Sequence, residues 1–285
     1  MPDSSATDAP PFFGTGAAAA YEQPPGTPYF LKRGGASLGG FLGDAAATDW
    51  REKQDAFIKW TRDPAMFNEA DVGQNFALYK PFFEERWPHL RGRVLDIGGG
   101  WGLFRKWWHA GRDGCFVVHD PGVERFTVAP PATLQRFFGD GLAKPALFVE
   151  GFGEELPYRD AAYDVVMIAS ALDHCADPPR VLAEARRVLR PGGRLLVIQG
   201  FEHEAGQPQP PGTSLAARLA RVLSDPRRLY RAIRMRLFHR GEPHMHHFTR
   251  SDLRQMVAAA GFARYAETVI SERFGVLAIE ARRAS

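Results

Sequence analysis

The chain has 285 residues, 45% hydrophobic and 24% charged, and its 36 basic against 33 acidic side chains leave a formal charge of +3. That is enough apolar material for a sizeable core in one or two domains, and too little net charge for binding nucleic acid by bulk attraction. The two cysteines, Cys115 and Cys175, exclude a disulfide scaffold and a four-cysteine zinc site.

Residues 1–47 hold eight glycines, six prolines and the run Ala17–Ala20, with few charges. This composition predicts a flexible N-terminal segment. Its aromatics (Phe12, Phe13, Tyr21, Tyr29, Phe30) favour draping over the surface rather than full disorder. Nothing at Met1–Asp3 reads as a secretory leader, and no apolar run approaches the roughly 18 residues of a membrane span. A cytoplasmic protein is expected. Residues 48–90 read as a helical cap: Trp50, Phe57 and Trp60 on one helix, Phe76, Tyr79, Phe82 and Phe83 on a second that ends at Trp87-Pro88.

From Arg93 short apolar runs alternate with helical patterns. Strands are expected at 94–97, 115–119, 146–150, 163–169 and 194–198. Helices are expected at 101–110, 132–138 and 179–189. The last carries Val181, Leu182, Ala185, Val188 and Leu189 on one face. Continuous apolar strands separated by helices predict an α/β fold, a mostly parallel sheet covered on both faces. After an interruption at 200–243, a helix at 251–260 and two β segments, 264–270 and 275–281, complete the domain at 91–285.

The stretch Val94-Leu95-Asp96-Ile97-Gly98-Gly99-Gly100-Trp101-Gly102 ends a strand in an acid and then supplies glycines, so backbone N–H groups can approach a ligand closely. Counting from Gly98 places Leu103 at the third glycine position of a dinucleotide site, and no Gly-Lys-Ser/Thr follows for a P-loop. The pattern that fits is Asp-x-Gly-x-Gly-x-Gly. It resembles motif I of the class I S-adenosylmethionine-dependent methyltransferases. Other segments resemble that family in the same order. They are Val117-Val118-His119-Asp120, Gly151–Tyr158 (family G-D-A-x-x-L-P-F), Tyr163-Asp164-Val165-Val166, and Asp173–Pro178 (H-x-x-D-P). Arg187–Gly193 (R-x-L-K-P-G-G), His247-Phe248-Thr249 and Ala260-Gly261-Phe262 continue the series.

The resemblance implies a Rossmann-like fold with a seven-stranded, mostly parallel sheet, and S-adenosyl-L-methionine as cofactor. The backbone of Gly98, Gly99 and Gly100 would hold its methionine part, Asp96 would orient that loop or meet the amino group, and Asp120 would accept the ribose hydroxyls, with Pro121 also in the cofactor site. Gly153 and Glu154 would face the adenine, and Ala169 would also belong to the cofactor site. Phe152 stands where the family usually has Asp, so the adenine amino group needs another acceptor, Glu154 or a backbone carbonyl, unless Phe152 stacks on the ring.

A hydroxyl acceptor must lose a proton, which histidine accepts near neutral pH. His174 follows the fourth strand at the edge where open α/β sheets bind ligands. His247 belongs to a second cluster with His244 and His246, and both His174 and His247 are candidate catalytic residues. Asp173-His174 loosely resembles the E-x-x-E-H stretch of metal-dependent ubiquinone-pathway O-methyltransferases. Ser170 replaces the first carboxylate, however, and the 244–247 cluster would need partners that the sequence does not reveal. No metal is expected. Cys175 reads as a buried small hydrophobe.

The insertion at 200–243 holds a helical pattern over 215–238, with eight arginines between 218 and 240 against Asp225 alone. It suits an anionic small-molecule acceptor, or peripheral contact of 213–240 with a membrane surface or carrier protein. The activity expected is methyl transfer to a small molecule, at oxygen, such as a natural product, sugar or lipid-linked intermediate. The alternatives are an RNA methyltransferase, disfavoured for want of an RNA module, and a non-catalytic cofactor-binding subunit, disfavoured by the intact glycine loop.

Overall fold

The computed structural model describes residues 12–34, 48–55, 69–88, 90–126, 130–203 and 244–284, with single positions at 219, 223, 229, 230 and 233. In chain order the strands begin with β1 (Tyr21–Glu22) and β2 (Tyr29–Lys32). Helices α1 (48–55) and α2 (Glu69–Arg86) follow. Next come β3 (Leu90–Arg91), β4 (Arg93–Ile97), a 3-10 turn at Leu103–Trp107, β5 (Trp108–His109) and β6 (Cys115–Asp120). Then come α3 (Val123–Phe126), α4 (Ala132–Leu142), β7 (Leu147–Glu150), β8 (Tyr163–Ala169), a 3-10 turn at Leu172–His174, and α5 (Pro178–Val188). Strand β9 (Leu189–Gly200), α6 (Arg250–Ala259), β10 (Phe262–Ser271) and β11 (Val276–Arg283) complete the order.

Alternation along the central strands builds two cores. Leu95, Ile97, Val117, Val149, Val166, Ile168, Leu195 and Val197 face α5 and α6. Val94, Phe116, Val118, Phe148, Val165, Met167, Leu196 and Ile198 face α2, α4 and Trp107. Both faces are covered, so both residue phases are apolar. Helix α5 starts where Asp177 accepts the N–H of Arg180 and proline occupies the first turn, the arrangement its sequence favours.

The main sheet has nine strands in the order β1-β2-β7-β6-β4-β8-β9-β11-β10. Pairing is parallel from β2 to β9 and antiparallel at both ends. The seven expected strands are present; the other two come from the segment expected to be flexible. Phe12, Phe13, Tyr21 and Phe30 are buried there, and Tyr29 and Phe30 pair with Phe148 and Val149. Apolar side chains on a sheet edge supply the burial that composition alone conceals.

The expected helix at 101–110 is replaced by the 3-10 turn and β5. Gly102 enters the turn in a left-handed conformation, φ 65°, and Trp107 stacks on Phe83 at 4.4 Å, so aromatic packing outweighs helical continuation. The expected basic helix at 215–238 lies outside the described residues, apart from Leu219, Leu223, Leu229, Tyr230 and Ile233, which are helical and exposed.

Helix α4 approaches the 103–107 turn at Gly141, where a Cβ would stand 2.5 Å from Lys106 Cα. Gly141→Ala should therefore destabilise the fold by about 1–3 kcal/mol through overpacking. Gly139→Ala, whose nearest neighbour would be Gln135 Oε1 at 3.7 Å, should be neutral or stabilising. Urea midpoints for the two variants check the contrast; equal midpoints would contradict it.

Candidate functional site

The glycine loop leaves β4 at the carboxyl edge of the sheet and is held from three sides. The Gly98 N–H donates to the His119 carbonyl at 2.8 Å. From beside, Asp120 accepts the Gly100 N–H (3.1 Å) on one carboxylate oxygen and the Gly122 N–H (2.7 Å) on the other. From beneath, Asp96 lies so close that a Cβ on Gly99 would stand 2.5 Å from its Oδ2. Gly98 has φ 67°, and a Cβ there would stand 2.4 Å from that of Ala171. No other residue type fits that position without displacement.

Asp96 is fully buried, and neither carboxylate oxygen has a hydrogen-bond partner among the described residues. Burial, reinforced by the Asp120 charge and opposed by Arg105, pushes its pKa up to about 8. A buried acceptor without a donor is costly, and this one lies under a loop whose glycines leave room for a ligand. Such a site fits a cationic group, the chemistry of an amino acid's ammonium.

The opposite wall is the turn after β8. Ser170 adopts φ 51° without being glycine, and its Oγ lies 3.5 Å from the Tyr79 hydroxyl of α2. Asp173 and His174 follow on the 3-10 turn. The segment before α6 joins them: the N–H groups of Met245 (2.7 Å) and His246 (3.2 Å) both donate to the Asp173 carbonyl. His246 Nε2 donates to the Cys175 carbonyl at 3.0 Å. The Trp50 indole N–H of α1 donates to the His174 carbonyl at 2.8 Å.

Residues 95–197 match the family model described as a methyltransferase domain. The chain resembles the ubiquinone/menaquinone biosynthesis C-methyltransferase UbiE of Acidiphilium cryptum (strain JF-5), 35% identical over 129 residues, 43% of this chain and 48% of the relative. UbiE of Hahella chejuensis (strain KCTC 2396) is 38% identical over 108 residues, 37% of this chain and 42% of the relative. The chain thus spans about half the length, or less, of these curated relatives. Residues 95–197 are similar to the methyltransferase domains of the class I, S-adenosylmethionine-dependent family.

The solved structures agree on the fold. The PH0226 protein of Pyrococcus horikoshii OT3 matches with TM-score 0.51 and 16% identity, over 79% of this chain and 97% of that one. The methyltransferase complexed with the Haloferax volcanii Trm112 activator matches at 0.50 and 18%, over 80% and 98%. In such a domain the cofactor expected at the glycine loop is S-adenosylmethionine. Its ammonium group fits the unpartnered carboxylate of Asp96.

The fold gathers Asp96, Gly98, Gly99, Gly100, Asp120 and Pro121 at one edge, with Ala169 at the end of the neighbouring β8. Gly153 and Glu154 have other immediate contacts. A Cβ on Gly153 would stand 2.8 Å from Ile97 Cγ2, so that glycine serves close packing. Glu154 is buried, and its Oε1 accepts the N–H groups of Ala176 (2.7 Å) and Asp177 (3.1 Å). It fixes the turn after β8, and burial raises its pKa. Phe152 packs edge-on against Trp50, with ring centres 4.8 Å apart.

His119, one residue before the motif acid Asp120, is fully buried beside the site. Its Nε2 lies 3.1 Å from the Phe152 carbonyl, which can only accept, so Nε2 carries the hydrogen and Nδ1 accepts from the Tyr158 hydroxyl at 3.0 Å. Burial pulls its pKa down to about 4, and the ring stays neutral. The Cys175 thiol donates to the Ala171 carbonyl, and burial raises its pKa well above the usual value.

His174 faces inward beside Asp173. His247 sits at the rim, with its Nδ1 3.0 Å from Glu202 Oε1, and both of these side chains are about half exposed or more. His244, rather than His247, reaches Asp173.

Asp96 yields a pH prediction with a definite sign. Unfolded, its carboxyl titrates near 3.9; folded, it holds its proton to about 8. The folded state therefore binds the extra proton between those values, and this group's contribution to stability falls as pH rises through the window. Asp96→Asn should remove that slope. Urea unfolding at about pH 5 and pH 8 tests it: parallel losses in wild type and variant would refute the assignment.

Proposed function

We propose that the chain transfers a methyl group from S-adenosylmethionine to a small organic acceptor, at a hydroxyl oxygen. The observation that carries the reading is the pair of acids that flank the glycine loop, one near the end of β4 and one at the end of β6. Asp96, buried and without a donor, meets the cofactor ammonium, and Asp120, fixed by Gly100 and Gly122, accepts the ribose hydroxyls. The sulfonium already activates its methyl, so the protein's task is alignment and exclusion of water. Trp50 of α1 and Tyr79 of α2 stand over the turn after β8 and wall the acceptor side.

In the transfer the acceptor O–H bond breaks and its proton passes to a histidine. The oxygen forms a bond to the methyl carbon, and the S–CH₃ bond breaks, leaving the neutral thioether. His174 and His247 are the two histidines assigned to the proton. The UbiE relatives, named as C-methyltransferases, favour a second reading, transfer to carbon, in which the attacked carbon forms the bond to the methyl group and then loses its own proton. The insertion at 200–243 is proposed to select the acceptor, an anionic one in view of its arginines.

Titration calorimetry with S-adenosylmethionine should give saturable binding. Asp120→Ala should weaken it by about 1–3 kcal/mol, since ribose hydroxyls and two loop N–H groups lose an acceptor. Unchanged affinity would remove Asp120 from the site, and no binding by the wild type would remove the proposal. Labelled cofactor offered to hydroxylated acceptors, with the methylated atom located by NMR, separates oxygen from carbon. His174→Ala and His247→Ala should show which histidine matters, with kcat reduced about 10²–10⁴-fold for a general base.

A further inference from the structure

Three donor groups meet at the acceptor wall from two separate parts of the chain. Asp173 and His174 lie on the 3-10 turn after β8, and His244 precedes α6. One ligand atom from each lies within 4.8 Å of the other two. His244 Nε2 is 3.5 Å from Asp173 Oδ2, and His174 Nε2 is 3.9 Å from Asp173 Oδ1. The imidazole centres are 4.8 Å apart. The sequence leaves Asp173-His174 one ligand short, because Ser170 occupies the third place; the fold brings His244 to it.

These separations discriminate between two explanations. Histidine–carboxylate hydrogen bonds would close to roughly 2.7–3.2 Å, and neither pair does. Asp173 Oδ1 is buried and accepts no hydrogen bond among the described residues. Bonds of about 2.0–2.2 Å from a tetrahedral cation would set its ligand atoms roughly 3.3–3.6 Å apart. The cluster needs only small side-chain rotations to reach that spacing.

Its supports are in place without an ion. The Asp173 carbonyl accepts from Met245 and His246, and the His174 carbonyl accepts from Trp50. The segment before α6 is thus pinned to the turn by two backbone bonds to Asp173 and by the His246 ring on the Cys175 carbonyl. Rigid surroundings that orient the donors are what a metal site requires.

We propose that Asp173, His174 and His244 bind a divalent cation of the zinc class through two imidazoles and one carboxylate. Such a donor set suits borderline ions, and a fourth position would remain for an acceptor oxygen. The proposal deepens the methyl-transfer reading: His174 is then a ligand, and the acceptor's proton goes to His247, paired with Glu202 at the rim. The cation would polarise the acceptor oxygen and favour loss of that proton.

The test uses the full chain, stripped with a chelator and then titrated with zinc(II) by calorimetry and with cobalt(II) by visible absorption. One ion per chain is expected, with the intense absorption of tetrahedral cobalt. Asp173→Asn and His244→Ala should each weaken zinc binding by at least about tenfold, while His109→Ala, at an exposed position away from the cluster, should not. S-adenosylmethionine affinity, measured on the same samples, should be retained in all three, which reports folding and separates this proposal from the cofactor assignment. Absence of stoichiometric zinc binding by the folded wild type, or binding indifferent to both ligand variants, would overturn it. Zinc binding without cofactor binding would leave the metal site standing and remove the methyl-transfer reading.

Discussion

A buried carboxylate beneath a loop without side chains is the constraint on which the site depends. Asp96, one residue before the end of β4, lies on the face it shares with Val94, so the pleat that builds the core also turns its carboxyl group inward. The loop above it must curve back over that carboxylate, and a Cβ at Gly98 or Gly99 would collide with Ala171 or with Asp96 itself. Asp120 then fixes the loop from the adjacent strand by accepting the N–H of Gly100. The ends of β4 and β6 are in register through Ile97 and His119. The sheet therefore sets the distance between the two acids, and the loop only has to span it.

The other wall has a different logic. The turn after β8 carries no regular element long enough to hold it, so distant segments do. Glu154 gives its carboxylate to two successive N–H groups of the turn, Trp50 caps a carbonyl, and the segment before α6 donates twice to Asp173. Each anchor comes from a part of the chain far from the turn in sequence. Rigidity here is a tertiary property, unlike that of the glycine loop, whose shape is local.

That contrast explains what is legible in the sequence. Central strands such as β4, β6 and β8 stand out as apolar runs bounded by glycine, proline or acid, and α5 announces itself by Asp177-Pro178 and its stripe of Val181, Leu182, Ala185 and Val188. The loop of Asp96 to Gly102 is equally plain, because its spacing is its mechanism. The turn at 103–107 is not, since Phe104 and Trp107 read as helical until Phe83 stacks on them. Neither is the meeting of His244 with Asp173, nor the structural task of Glu154, which only the folded turn reveals. His119 lies one residue before the acid that the motif identifies; its partners, Tyr158 and the Phe152 carbonyl, come from the segment after β7.

The placement of β2 has a consequence for how the molecule is made. Its partner β7 is synthesised more than a hundred residues later, so the aromatic segment of Phe12, Phe13, Tyr21 and Phe30 leaves the ribosome long before its surface exists. Nearest-neighbour pairing is available only with β1, which is two residues long. Closing this edge therefore waits for β6 and β7 to assemble, a long-range step of the kind that slows folding. Once it closes, β7 is paired on that side through Phe148 and Val149, and among the described residues the very short β1 is the last strand on that flank. The segment that looks least structured in composition is thus the one that extends the described sheet beyond β7.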